Sequence, residues 1–173
     1  MPQQNYRFEM EWYPVSSILP VHKDLFIAQA SCWVISADKK IILVSKDNEK
    51  WTIPAGHTEK SDVNYFETAV REVEEETGLD ISKEKNDLKV LGYYVIKAFD
   101  KEKGTLENED IQIRLLIILD INSNSLNLEP NEKDSQIEKV KYARLFTLDE
   151  AISKVSWLSK AGDLEEAKKI VGF

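Results

Sequence analysis

Between Asn64 and Gly78 the chain reads YFETAVREVEEET, thirteen residues of mostly good helix formers. Asn64 followed three positions later by Glu67 has the form of a capping box, and Gly78 after Thr77 is a helix-stop signal. The runs on either side of this helix read as β. Residues 25–35, 40–44 and 51–53 precede it, and residues 88–98, 111–121 and 140–146 follow it. One long helix between two groups of strands restricts the chain to a mixed α/β sandwich, with the helix laid on the sheet. Residues 36–39 suit a hairpin loop, residues 100–110 a charged loop around Gly104, and residues 122–136 a long polar loop containing Pro130. Residues 148–155 and 164–171 read as closing helices. Near the N-terminus Tyr6, Phe8, Met10 and Trp12 alternate with Arg7, Glu9 and Glu11, the period of a half-buried strand.

The chain has 173 residues, the size of one domain with a short extension. Its net charge is −8, from 23 Lys and Arg against 31 Asp and Glu. That excludes duplex nucleic acid and anionic membranes as expected partners, since both need a basic footprint. A small anionic substrate held through a metal ion stays open. Cys32 is the single cysteine, so no intrachain disulfide forms. No apolar run approaches a membrane span and the N-terminus does not read as a signal peptide, so a soluble cytoplasmic protein is expected.

The acidic end of the helix carries the chemistry. At about 100° per residue, Glu72, Glu75 and Glu76 share an arc of about 100°. That arc borders the stripe of Phe66, Ala69, Val70 and Val73, which should face the core. Glu67 and Glu74 point away as surface charge. Like charges at these spacings cost about 0.2–0.5 kcal/mol per pair, and acids in a last turn oppose the helix dipole by about 0.3–1 kcal/mol each. Breaking two local rules at one place marks a candidate site. A bound divalent cation would reverse both penalties, and hard oxygen ligands suit Mg²⁺, Mn²⁺ or Ca²⁺. The plain alternative is a solvated acidic helix.

Gly56 together with Arg71-Glu72-Val73-Glu74-Glu75-Glu76-Thr77-Gly78-Leu79 resembles the signature of the Nudix hydrolases. That pattern is a Gly, five residues, a Glu, seven residues, then R-E-U-x-E-E-x-G-U with U aliphatic. Its second half is matched at every specified position. The first half is one residue longer here, and Asp62 stands where the isolated Glu is counted from Gly56. Trp51-Thr52-Ile53-Pro54-Ala55-Gly56-His57 and the segment from Arg144 to Ala151 fit the family plan. The resemblance implies a Nudix-type α/β/α sandwich with a mixed β-sheet over residues 25–173. Residues 1–24 then form an N-terminal extension with an extra strand. The motif region is most similar to the diadenosine tetraphosphate hydrolase branch.

The resemblance implies metal-dependent hydrolysis of a diphosphate linkage in a nucleoside diphosphate derivative, by water attack at phosphorus. Glu72, Glu75 and Glu76 would hold Mg²⁺ or Mn²⁺, with the Gly56 carbonyl as a further ligand, and Glu75 is the candidate for orienting or deprotonating the water. Arg71 is placed to fix a glutamate rotamer. Glu138, before the last strand, is a second candidate base with an ordinary surface glutamate as its alternative. His57 and Glu59 are candidates for substrate contact. Tyr93, Tyr94, Phe99, Tyr142 and Trp157 are candidates for stacking a base, each with core packing as the alternative. The expected partner is a small nucleotide, and a second copy of the chain is a candidate through the aromatic face of residues 6–12. The rival reading is a Nudix-fold nucleotide-binding or regulatory domain without turnover.

Overall fold

The apolar runs on either side of the central helix pair into one mixed sheet. The computed structural model describes residues 5–15, 24–131 and 139–173. Its strands are β1 (Tyr6–Pro14), β2 (Ile27–Ile35), β3 (Ile41–Ser45), β4 (Trp51–Thr52), β5 (Ala55–His57), β6 (Lys89–Asp100), β7 (Leu106–Ile118) and β8 (Tyr142–Phe146). The order is β1-β6-β7-β2-β3-β4, with β5 added to β2 and β8 to β3. Strands β2 and β7 run parallel, pairing Ser31 with Arg114 and Cys32 with Leu115. The other pairings are antiparallel. A parallel pair needs a long crossover, and α1 (Tyr65–Thr77) lies within it.

The two-residue period of the strands sorts their side chains onto two faces. Ala30, Cys32, Val34, Ile113, Leu115 and Ile117 lie on one face, under Ala69, Val70 and Val73 of α1. Trp33, Ile35, Ile41, Leu43 and Leu116 lie on the other, under α2 (Leu148–Lys154) and α3 (Gly162–Val171). Fully burying each such large side chain contributes about 1.5–3 kcal/mol. The result is the α/β/α sandwich with a mixed sheet. Cys32 is core, and burial pushes its thiol pKa up.

Two expectations change. Strand β1 forms, but Phe8 is 50% and Met10 58% exposed. This end strand runs with β6 past the helices, so only Trp12 and Tyr13 reach the interior. Trp12 lies against Tyr94, ring centroids 4.8 Å apart, and over Gly92 and Gly162, where a Cβ would overlap its indole. Tyr13 stacks on Tyr93 at 5.3 Å. The charged loop over residues 100–110 is instead a tight turn, and β7 already begins at Leu106. Its first residues are exposed and therefore polar, which hides a strand from an apolar count.

Helix α1 is capped at both ends, but only the Asn64 half of the expected capping box forms. Asn64 Oδ1 accepts from the Phe66 and Glu67 N–H groups, while the Glu67 carboxylate pairs with Lys85. Gly78 closes the helix at φ 78°, a left-handed conformation that favours glycine. The polar stretch after β7 then serves the same helix. The Glu129 N–H donates to the Thr77 carbonyl and the Asn131 N–H to the Glu75 carbonyl, satisfying last-turn groups with no partner inside the helix. The acidic turn is thereby fixed from outside.

Candidate active site

The last two turns of α1 face a cleft of about 690 Å³. Its walls include Gly56, His57 and Glu59 from β5 and the loop after it, Arg71, Glu72, Glu75 and Glu76 from the helix, and residues 44–47 and 50–52 from β3, β4 and the turn between them. The three glutamates sit at the margin of the buried stripe. The Glu76 residue is 8% exposed, and the Glu72 and Glu75 side chains are 13% and 31% exposed. Glu76 Oε2 accepts from the Ala55 N–H at 2.8 Å, tying the helix to β5. Glu74 is exposed and outside the cleft wall.

Arg71 is the hub. Its Nη1 donates to Glu72 Oε1 at 2.6 Å and to Glu75 Oε2 at 3.3 Å, and lies 3.7 Å from Glu59. Its Nε and Nη2 donate to the two Asp62 oxygens at 3.3 and 3.0 Å, a bidentate clamp. Nη2 also donates to the His57 carbonyl at 2.8 Å. Burial alone would lower the arginine's pKa, but Asp62 and Glu72 outweigh it and hold the guanidinium more firmly protonated than usual. Asp62 is itself anchored by the Thr68 hydroxyl at 3.0 Å and the Glu59 N–H at 2.9 Å. Burial would raise its carboxyl, yet the bonds from Arg71, Glu59 and Thr68 together hold it below the usual carboxylate range.

The structure brings Gly56, His57, Glu59, Arg71, Glu72, Glu75 and Glu76 to one cleft. Glu138 lies outside the described residues. Gly56 lies in a strand, β5, and its backbone is not left-handed; glycine is required because a Cβ would overlap the Glu72 carboxylate. His57 holds Arg71 with its backbone carbonyl, while its side chain is on the cleft wall. Arg71 reaches two of the glutamates, and its shorter contacts are to Glu72 and Asp62 rather than to Glu75. The anchoring by Asp62 escaped the sequence, where its only signal was an acid near the family's isolated Glu.

The aromatic candidates for base stacking do not line the cleft. Tyr93 and Tyr94 are buried, Phe99 lies under Arg7, Tyr142 lies against Arg144, and Trp157 is on the surface. The indole in the cleft wall is that of Trp51, held edge-on by Phe146 at 5.0 Å and faced by Arg144 at 5.6 Å.

The donor set suits a hard divalent cation. Glu59, Asp62, Glu72 and Glu75 all pair with one arginine, a surplus of negative charge beside a cleft that Glu76 also lines. Among the described residues no three such groups already converge on a common point. Arg71 Nη1 bridges Glu72 and Glu75.

The NUDIX domain family profile matches residues 25–167. No curated protein matches the chain closely enough to count as a relative. Among solved structures, a mutant of the Bacillus subtilis pyrophosphohydrolase BsRppH is similar at 20% identity and TM-score 0.59, covering 94% of this chain and 90% of that one. A MutT protein from Methanosarcina mazei shows 16% identity and TM-score 0.49 over 76% and 85% of the two chains. An ADP-ribose pyrophosphatase from Streptococcus suis shows 21% identity and TM-score 0.43 over 70% and 73%. The first of these shares the fold; with the profile covering most of the chain, this protein belongs to the NUDIX domain family.

Proposed function

We propose that the chain is a metal-dependent pyrophosphohydrolase that cleaves a diphosphate linkage in a nucleotide derivative. The observation that carries this is the surplus of carboxylates around Arg71 on the wall of a cleft large enough for a nucleotide. Bound Mg²⁺ or Mn²⁺ would neutralise the substrate's phosphate oxygens and the charge that grows there during attack. Glu72, Glu75 and Glu76 are the side chains to hold it, with the Gly56 carbonyl beside them. Glu75 has the greatest exposure of the three and is the group to orient or deprotonate the attacking water. Arg71, clamped by Asp62, fixes the Glu72 rotamer and releases Glu75 when a cation enters. His57 and Glu59 contact the substrate from the cleft mouth.

BsRppH, whose fold the chain shares, is a pyrophosphohydrolase, and the reading agrees with that. The P-A-G-H-T-E segment keeps the diadenosine tetraphosphate hydrolase branch in the panel. Incubation with nucleoside diphosphate derivatives and Mg²⁺ or Mn²⁺, followed for mononucleotide and phosphate, tests the proposal. Metal-dependent product supports it. Tight binding without any product would replace it with a nucleotide-binding domain.

A further inference from the structure

We infer that Lys46 and Lys50, at the two ends of the turn from β3 to β4, form an anion subsite in the cleft that the carboxylates also line, so that the substrate carries a phosphate beyond the diphosphate that is cleaved. This rests on the hydrolase reading above.

Charge is segregated by element within one cleft. Glu72, Glu75 and Glu76 come to its wall from α1 and Glu59 from the loop after β5, Lys46 and Lys50 come from the turn between β3 and β4, and Val44, Trp51, Thr52 and Val140 line it as well. The lysines carry no ion pair or hydrogen bond through their ammonium groups among the described residues, and both residues are exposed. Asp47 between them is occupied by its own turn. Its Oδ1 accepts from the Ser45 hydroxyl at 3.2 Å, the Glu49 N–H at 2.9 Å and the Lys50 N–H at 2.8 Å, and those backbone donors hold its carboxyl below the usual range. The Asn48 N–H donates to Ser45 Oγ at 2.9 Å and the Lys141 N–H to the Ser45 carbonyl at 3.0 Å. The turn is therefore built before any ligand arrives, and it presents two cations to the cleft in place of the ion pair that Asp47 would otherwise make. Lysine is a compact point charge suited to phosphate oxygens.

A diphosphate joined to a neutral sugar has its charge satisfied at the carboxylates, through the cation held there. A nucleoside triphosphate or a dinucleoside polyphosphate has further phosphate to meet the lysines. The structure thus favours the polyphosphate class over nucleoside diphosphate sugars.

The test compares kcat/KM for a nucleoside triphosphate, a dinucleoside tetraphosphate, ADP-ribose and a UDP-sugar, in wild type and in the Lys46→Gln/Lys50→Gln double variant. Both glutamines retain the backbone bonds that build the turn. The expected result is a wild-type preference for the polyphosphates that falls by about 10-fold or more in the variant, with a weaker salt dependence. Equal efficiency on the sugar substrates, or a preference unchanged in the variant, overturns the subsite. Calorimetric titration with inorganic tripolyphosphate keeps the two readings apart. Binding to wild type that is lost in the variant upholds the subsite even where no substrate is turned over, which would defeat the hydrolase reading alone.

Discussion

Two arginines on opposite sides of the sheet show what separates a working polar cluster from a structural one. Arg114 on β7 is buried beneath α3, with its Nε 3.6 Å from Asp163 Oδ2 and its Nη1 donating to Ser31 Oγ at 2.7 Å. Asp163 in turn accepts from Trp33 Nε1 at 2.9 Å and the Tyr94 hydroxyl at 3.0 Å. Burial and the Asp163 charge push the Tyr94 pKa up to about 12, so it stays a neutral donor. One cation meets one anion in a cluster closed to solvent, and neutral groups take the remaining valences except at Arg114 Nε, which is buried without a hydrogen bond. Arg71 instead contacts four carboxylates at a cleft wall, with Glu76 lining the same cleft. The first cluster is closed and balanced, whereas the second has charge left over and water access. Only the second calls for a ligand.

The largest effects should fall on opposite properties. Glu76→Gln keeps an acceptor for the Ala55 N–H but removes a charge from the unbalanced cluster. Turnover should fall by about 10²–10⁴-fold while the melting temperature stays within a few degrees. Full metal-dependent activity in that variant would show that the surplus charge is not catalytic. Asp163→Ala should do the reverse. It strands Arg114 in the interior and should cost about 3–5 kcal/mol of stability, read by denaturant unfolding, with activity per folded molecule retained. An Arg114→Met/Asp163→Leu variant should recover part of that loss, because an apolar pair needs no counter-charge. If the double variant were no better than Asp163→Ala, the balanced-pair account would fail.

The two clusters were also unequally legible. The one at the cleft announced itself through like charges at i,i+3 and i,i+4 in a last helical turn, an arrangement that local energetics opposes. Arg114 and Asp163 gave no such signal, being 49 positions apart in sequence, one in an apolar run and one in a turn. A buried pair joined only by the tertiary fold is invisible to periodicity. The same holds for Asp62, whose partner is nine residues away. Helix α1 and the closing helices were readable because their caps and apolar stripes are local. The exposed half of β1 was misjudged because its alternation persists where Phe8 and Met10 stay exposed, and the start of β7 because its exposed residues are polar. Trp51 was quoted for its place in the motif, yet its position in the cleft depends on β4 pairing with β3, a non-local event.

Gly56→Ala sharpens the contrast at smaller scale. The backbone there accepts alanine, but the new methyl meets the Glu72 carboxylate and must displace it. Metal affinity and kcat should drop by about 10–100-fold, measured by Mn²⁺ titration and by rate, with little change in folding. Unchanged affinity would mean that the Glu72 rotamer is not what the site depends on.

The smallest effect concerns acid. Asp62 has a folded-state pKa below its unfolded value of about 3.9, so its stabilising contribution is complete above that pH and is lost as pH falls through the folded value. Asp62→Asn cannot ionise and should lack this part of the acid dependence. Between pH 5 and about pH 3 the melting temperature of the wild type should therefore fall more than that of the variant. At neutral pH the variant should show turnover reduced by about 10-fold, because Arg71 loses its charged clamp and with it the fixed position of Glu72. Parallel acid profiles for the two proteins would mean that Asp62 is not held ionised by Arg71. In that case the Arg71 cluster would draw its order from the glutamates alone, and the surplus of charge would be smaller than the geometry implies.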